Sequence, residues 1–168
     1  MTSKLTKAEI MRKLRSEFAL THKASKELVN SYFDTVVSIA QAGGIVRLPN
    51  VGTFSYKYKE PNVHGRNPFT NEQLDHLVGG GYKLRCEFDF NPEMDGTLAK
   101  RISDDLGYDV SYTKPLISFI GLVIKNSLRY GDYLSIRYFG TIKKRGRTSH
   151  YIYRCSSNLI IQSFPNRD

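Results

Sequence analysis

Gly65-Arg66-Asn67-Pro68-Phe69-Thr70 is the stretch whose reading decides the fold. It follows Val51-Gly52-Thr53-Phe54 and precedes the apolar run Leu84 to Phe90. A Gly-Arg-Asn-Pro turn between two strand-like runs sets a cation and a rigid apolar ring at the end of a β-ribbon. Proline suits such a tip because its ring fixes φ and its nitrogen carries no donor. An arm so tipped is equipped to enter the DNA minor groove and open a base step.

Outward from the tip, Ile45 to Tyr58 alternates in polarity and is rich in β-formers, with a kink at Pro49-Asn50. Tyr82 to Phe90 is the return strand. Upstream, Thr6 to Leu20 reads as a helix, with Ile10, Leu14 and Phe18 on one face. Thr6 and Glu9 have the spacing of a capping box. After a break at Thr21-His22-Lys23, Ser25 is expected to cap a second helix running to Ala42. Leu28, Tyr32, Val36 and Ile39 face inward, and Gly43-Gly44 stops the helix.

The pattern then recurs at an offset of about 88 residues. Gly52-Thr53-Phe54 aligns with Gly140-Thr141-Ile142, Gly43 with Gly131, and Leu48 with Ile136. Leu28 and Val36 meet Leu116 and Ile124. Ile10, Leu14 and Phe18 meet Leu98, Ile102 and Leu106. Few residues are identical, but helix stops, strand starts and apolar positions agree together. Two units are therefore expected, 1–95 and 96–168. The second arm runs through Lys143-Lys144-Arg145-Gly146-Arg147 and returns from Tyr151 to Phe164. Matching Leu84–Phe90 to Leu159–Phe164 makes it roughly 13 residues shorter, with no Asn-Pro tip and no third helix behind it.

The chain has 168 residues, 40% of them hydrophobic, which is enough for a core. Its net charge is +9, as expected of a protein with an acidic partner, most simply nucleic acid. Residues 134–168 hold seven basic side chains against Asp168 alone, whereas residues 43–133 hold eleven of each sign. Cys86 and Cys155 make no disulfide framework and are expected as half-buried small hydrophobes. Neither a membrane-spanning apolar run nor a signal core is evident, so a soluble intracellular protein is expected.

These motifs together resemble the HU/IHF family of bacterial DNA-bending proteins. The resemblance covers about the first 95 residues: two helices, Val51-Gly52-Thr53-Phe54, the Gly65 to Thr70 tip, and Phe90-Asn91-Pro92. The second half resembles the family only through its helix pair and Phe139-Gly140-Thr141-Ile142. The resemblance implies an α+β fold, with helix pairs packed under an antiparallel β-saddle that carries β-ribbon arms. Here that unit is duplicated within the chain, and the helix Gly96 to Leu106 could serve both units. It also implies that Pro68 wedges between base pairs, that Arg66 lies in the minor groove beside Asn67, and that double-stranded DNA is the partner. Lys57, Lys59, Lys83 and Arg85 would line the first arm or the saddle. Lys143, Lys144, Arg145, Arg147 and Arg154 would hold phosphates on the other side, with affinity falling steeply in salt. A cytoplasmic, nucleoid-associated location follows, with no cofactor.

The same residues suit another role. Between Ser55 and Glu87 there are five basic and four acidic side chains, and Phe69, Leu74, Leu77 and Val78 are apolar for a solvated arm. A virion structural protein, its arms clasping copies of itself or other virion proteins in a ring, is the alternative. Enzymatic function is not expected. His22, His64, His76 and His150 show no metal spacing, and Asp104-Asp105 reads as a solvated helix face. Gly79-Gly80-Gly81 reads as a bend, and Tyr56, Tyr58, Tyr82, Tyr138, Tyr151 and Tyr153 as strand tyrosines packing across neighbours.

Overall fold

Local preferences place the elements, and long-range packing closes them. The computed structural model describes residues 3–59, 81–94, 96–147 and 150–162. The tip Gly65–Thr70, and with it Arg66, Asn67 and Pro68, lies outside the described residues, as do Glu60, Glu72, Asp75 and Phe164. In chain order the elements are β1 (Lys4–Leu5), α1 (Lys7–Phe18), α2 (His22–Gln41), β2 (Val46–Leu48), β3 (Gly52–Lys59) and β4 (Gly81–Phe88). They continue with α3 (Gly96–Leu106), α4 (Val110–Tyr130), β5 (Tyr133–Ile136), β6 (Gly140–Lys144) and β7 (Tyr151–Cys155), then a 3₁₀ turn at Ser157–Leu159. After β1, the order helix, helix and three strands occurs twice.

Two helix ends differ from expectation. Thr6 stands at the N-cap of α1, but its side chain makes no capping bond, and the Glu9 carboxylate that would complete a capping box pairs with Arg12 instead. The helix closes at Ala19, which adopts a left-handed φ of 54°. Thr21, not Ser25, caps α2, its hydroxyl accepting the Ala24 N–H at 3.0 Å. Ser25 lies inside the helix and donates to the His22 carbonyl at 2.9 Å. The expected apolar face of α2 holds: Leu28, Tyr32, Val36 and Ile39 are all buried.

The backbone repeats at the 88-residue offset in detail. Left-handed φ values recur at Ala19 and Gly107, Gly43 and Gly131, Asn50 and Tyr138, and Gly52 and Gly140. The turn bond from Val51 N–H to the Leu48 carbonyl, 3.1 Å, matches that from Phe139 N–H to Ile136, 3.0 Å. At Gly52 and Gly140 a Cβ would sit 2.3 Å and 2.2 Å from the carbonyls of Glu87 and Arg154, so each strand pair crosses too closely for any side chain.

One sheet has the order β2-β3-β4 and is antiparallel. The other has the order β1-β5-β6-β7, in which β1 pairs parallel to β5, one parallel edge on an otherwise antiparallel sheet. The register corrects the expected length of the second arm. Gly52 pairs with Phe88, 36 positions on, while Gly140 pairs with Cys155, 15 positions on. The second ribbon is thus shorter by 21 residues, not 13, and its return strand is Tyr151–Cys155. The chain leaves the sheet at Ser156, whose N–H bonds the Phe139 carbonyl at 3.1 Å, and the 3₁₀ turn buries Leu159.

The halves interlock. The helices α1 and α3 each pack on both α2 and α4. Phe33 of α2 meets Phe139 of the β5–β6 turn at 4.9 Å between rings, while Asn50 of the β2–β3 turn donates from Nδ2 to the Ser118 carbonyl of α4 at 3.2 Å. Where the sheets adjoin, Phe54 packs edge-on to Tyr153 at 5.2 Å and tilted to Phe139 at 5.6 Å. Burying each such ring or aliphatic chain contributes about 1.5–3 kcal/mol, and these contacts span both units, so one core serves the chain.

Candidate nucleic-acid interface

Strand alternation sorts the cations onto one face. On β3 and β4, Phe54 and Leu84 are buried on the inner side, which leaves Ser55, Lys57, Lys83 and Arg85 on the outer one. On β6 and β7, Ile142 and Tyr153 turn inward, and Lys143, Ile152 and Arg154 turn outward. The strands β4 and β7 run beside each other. Between them lies an open groove of about 540 Å³, bordered by Lys83, Arg85, Arg145 and Arg154 and floored in part by Leu84, Ile152 and Ile160. Four of the expected DNA-contacting cations thus come together from two segments, Lys83–Arg85 and Arg145–Arg154, that lie 60 residues apart in sequence.

The electrostatics are one-sided. The strands β3, β4, β6 and β7 carry Lys57, Lys59, Lys83, Arg85, Lys143, Lys144 and Arg154 against a single acid, Glu87. Lys57 and Lys83 sit directly opposite each other, an arrangement that costs stability. Glu87 partly offsets it, with its carboxylate 3.7 Å from Lys57 Nζ in an exposed pair. Lys144, Arg145 and Arg147 are exposed at the end of the short hairpin. The backbone of Lys59 pairs with Gly81 at the foot of the long ribbon, and its side chain lies outside the described residues.

The model of the family "Bacterial DNA-binding protein" matches residues 5–76. An integration host factor subunit α from Hydrogenovibrio crunogenus is 36% identical over 91 residues, covering 51% of this chain and 93% of that protein. One from Stenotrophomonas maltophilia strain K279a is 37% identical over 70 residues, 42% of this chain and 70% of that protein. The chain belongs to the HU/IHF family of bacterial DNA-binding proteins. A third α subunit, from Methylococcus capsulatus, is 36% identical over 70 residues; the match takes in 42% of this chain and 63% of that protein's length. Among solved structures, the chain is similar to one titled as an Anabaena HU–DNA cocrystal, with a TM-score of 0.41 and 20% identity, covering 49% of this chain and 89% of that one. For this HU/IHF-family chain, residues 77–168 lie beyond the family match, including every cation of β4, β6 and β7.

Several side chains take places that sequence left open. Arg47, with no expected role, clamps the loop after β4, donating to the carbonyls of Glu93 at 3.0 Å and Asn91 at 2.9 Å and pairing with Asp89 at 3.3 Å. Ile152 lines the groove as well, because the period of β7 sets it beside Arg154. Tyr138 corrects the expectation of a strand tyrosine. It sits in the β5–β6 turn with φ 67°, largely exposed, under the Arg137 guanidinium at 4.9 Å. Tyr58 and Tyr82 do pack across the ribbon, their rings 5.2 Å apart. Cys86 and Cys155 are free and half-buried on strands. Among the described residues no group of three acidic, His or Cys side chains could hold a metal, and no helix is long and apolar enough to cross a membrane.

Beneath the cationic face the core resists alkaline ionisation. Burial pushes the Cys86 thiol above its ordinary 9.0, and raises the Tyr32 and Tyr153 hydroxyls above 10.0. The unfolded chain releases these protons first, so unfolding gains as pH climbs past the ordinary values. Stability is expected to be flat to about pH 9, then to fall by about 1.4 kcal/mol per pH unit, steepening to about 4 above pH 10 as the tyrosines join. Urea midpoints at pH 8, 9.5 and 10.5 check this; equal midpoints would refute it.

Proposed function

We propose that this chain binds and bends double-stranded DNA, without catalysis and with little sequence preference, as a covalent pseudo-dimer of units 1–95 and 96–168. One observation carries this reading: Lys83, Arg85, Arg145 and Arg154, drawn from both units, surround a single groove on a face with one acidic side chain among its strands. The recurrence of left-handed positions at the 88-residue offset supports the duplication. Phosphates would lie along the groove, with Lys57, Lys59, Lys143, Lys144 and Arg147 extending the track on either side. At the long arm's end Pro68 would wedge into a base step with Arg66 and Asn67 in the minor groove, the unstacking cost of a few kcal/mol being recovered as more DNA meets the body. Preference among sequences would then come from deformability. A nucleoid-associated, cytoplasmic location accords with this activity.

The test is fluorescence anisotropy with a 40-base-pair duplex between 50 and 200 mM salt. A protein meeting about six phosphates should weaken roughly 10³-fold over that range. Pro68→Ala should lower end-to-end energy transfer on the duplex more than it lowers affinity. A dissociation constant above about 100 µM at low salt, beyond even ordinary non-specific binding, would overturn the proposal. A discrete ring of copies in native mass spectrometry would favour virion assembly instead.

A further inference from the structure

We infer that residues 157–162 form a strap, with Ile161 and Tyr56 as positioning residues, that holds the outer faces of the two sheets as one DNA-binding surface. This rests on the DNA reading given above. The strap leaves β7 of the second unit and ends on β4 of the first. Ile161 and Tyr82 form an antiparallel bridge, with Tyr82 N–H to the Ile161 carbonyl at 2.7 Å and Ile161 N–H to the Tyr82 carbonyl at 3.0 Å. Two residues earlier, Tyr56 Oη donates to the Leu159 carbonyl at 2.7 Å, and Gln41 hydrogen-bonds the same hydroxyl. Leu159 is buried as an anchor, and Asn158 donates from Nδ2 to the Tyr138 carbonyl at 3.2 Å.

The segment therefore ties three things together: the end of α2, the foot of the long ribbon and the turn of the second sheet. Ile160 borders the same groove as Arg85 and Arg154, so the strap crosses beside the cations it would align. Gly81 permits the approach, because a Cβ there would stand 3.1 Å from the Ile161 carbonyl, at a φ of +131°. Phosphate contacts count toward the salt dependence only when made together. If the strap opens, the sheets meet DNA one at a time, although no charge has been removed.

Two full-length variants test this. Ile161→Pro removes the donor to Tyr82, and Tyr56→Phe removes only the hydroxyl. In Ile161→Pro the Tyr82 amide should exchange about tenfold faster. The slope of log affinity against log salt should become shallower by about two contacts' worth, and end-to-end energy transfer on the 40-base-pair duplex should fall. Tyr56→Phe should shift all three in the same direction by less. Faster Tyr82 exchange with slope and bending as in the unaltered chain would show that the strap positions nothing. Unchanged Tyr82 exchange in both variants would show that no strap exists. If the unaltered chain fails to bind duplex at low salt, the DNA reading falls by itself, and the strap then stands or falls on Tyr82 exchange.

Discussion

Gly121→Ala is expected to lower stability by about 3 kcal/mol, although alanine favours a helix over glycine by about 1 kcal/mol. Gly121 is buried in α4 against the β2–β3 turn. A Cβ there would lie 1.9 Å from the Pro49 carbonyl oxygen and 3.1 Å from its carbon. That is more than 1 Å inside ordinary contact, and the obstacle is backbone. The turn cannot retreat easily, because Asn50 N–H bonds the Asn91 carbonyl at 2.9 Å and Asn50 Nδ2 bonds Ser118 of the same helix. Overpacking of this kind costs 1–3 kcal/mol or more. For a chain of this size the loss should appear as a melting-point drop of about 10 °C. Gly43→Ala is the control. Gly43 has φ +89° but open space around it, so only the left-handed cost of about 1 kcal/mol applies. An unchanged melting point for Gly121→Ala would mean that α4 does not seat on this turn. At the position 88 residues earlier the chain carries Phe33, which fills the matching junction by packing on Phe139. The two halves thus solve one junction with opposite sizes.

The second large effect lies on the proposed DNA surface. Arg85 and Arg154 face outward on β4 and β7 and border the shared groove. Replacing both with alanine should weaken duplex binding about 100-fold at low salt, taking a charge-assisted contact as roughly tenfold each. The salt slope should become shallower by about 1.8, at 0.9 for each phosphate released. Both side chains are exposed, so the melting point should move little. Arg47→Ala should do the reverse. It unclamps the Asp89–Glu93 loop and lowers stability, with the salt slope unchanged. A double variant that binds with the parental slope would place the phosphates elsewhere.

Much of this was legible because it is local. Period-3.6 patterns mark α1 and α2, alternation marks β2 and β3, and an apolar run marks β4, whereas the strand register sets Lys57, Lys83 and Arg85 on one side. Glycines at matching offsets point to a recurrent pattern, and the left-handed positions recur at the same 88-residue offset. The errors were local competitions. Arg12 takes the Glu9 carboxylate that a capping box at Thr6 needs, and α2 starts a turn earlier than Ser25, with Thr21 accepting the Ala24 N–H. An apolar Leu159 resembles a strand residue, so sequence alone makes the second ribbon too long. Whether Leu159 extends a strand or plugs a core depends on what lies opposite it, which is Tyr56, 103 positions away.

By itself, then, the sequence determined which segments coil, which extend, which sides are greasy and which are cationic, since those follow from the chemistry of neighbours in the chain. Only the tertiary structure decided that β4 lies beside β7, that α2 seats on the turn of the other unit, and that the segment after β7 crosses to Tyr82. Such pairings depend on shape complementarity between surfaces far apart in the chain, and no periodicity along one strand or helix encodes them.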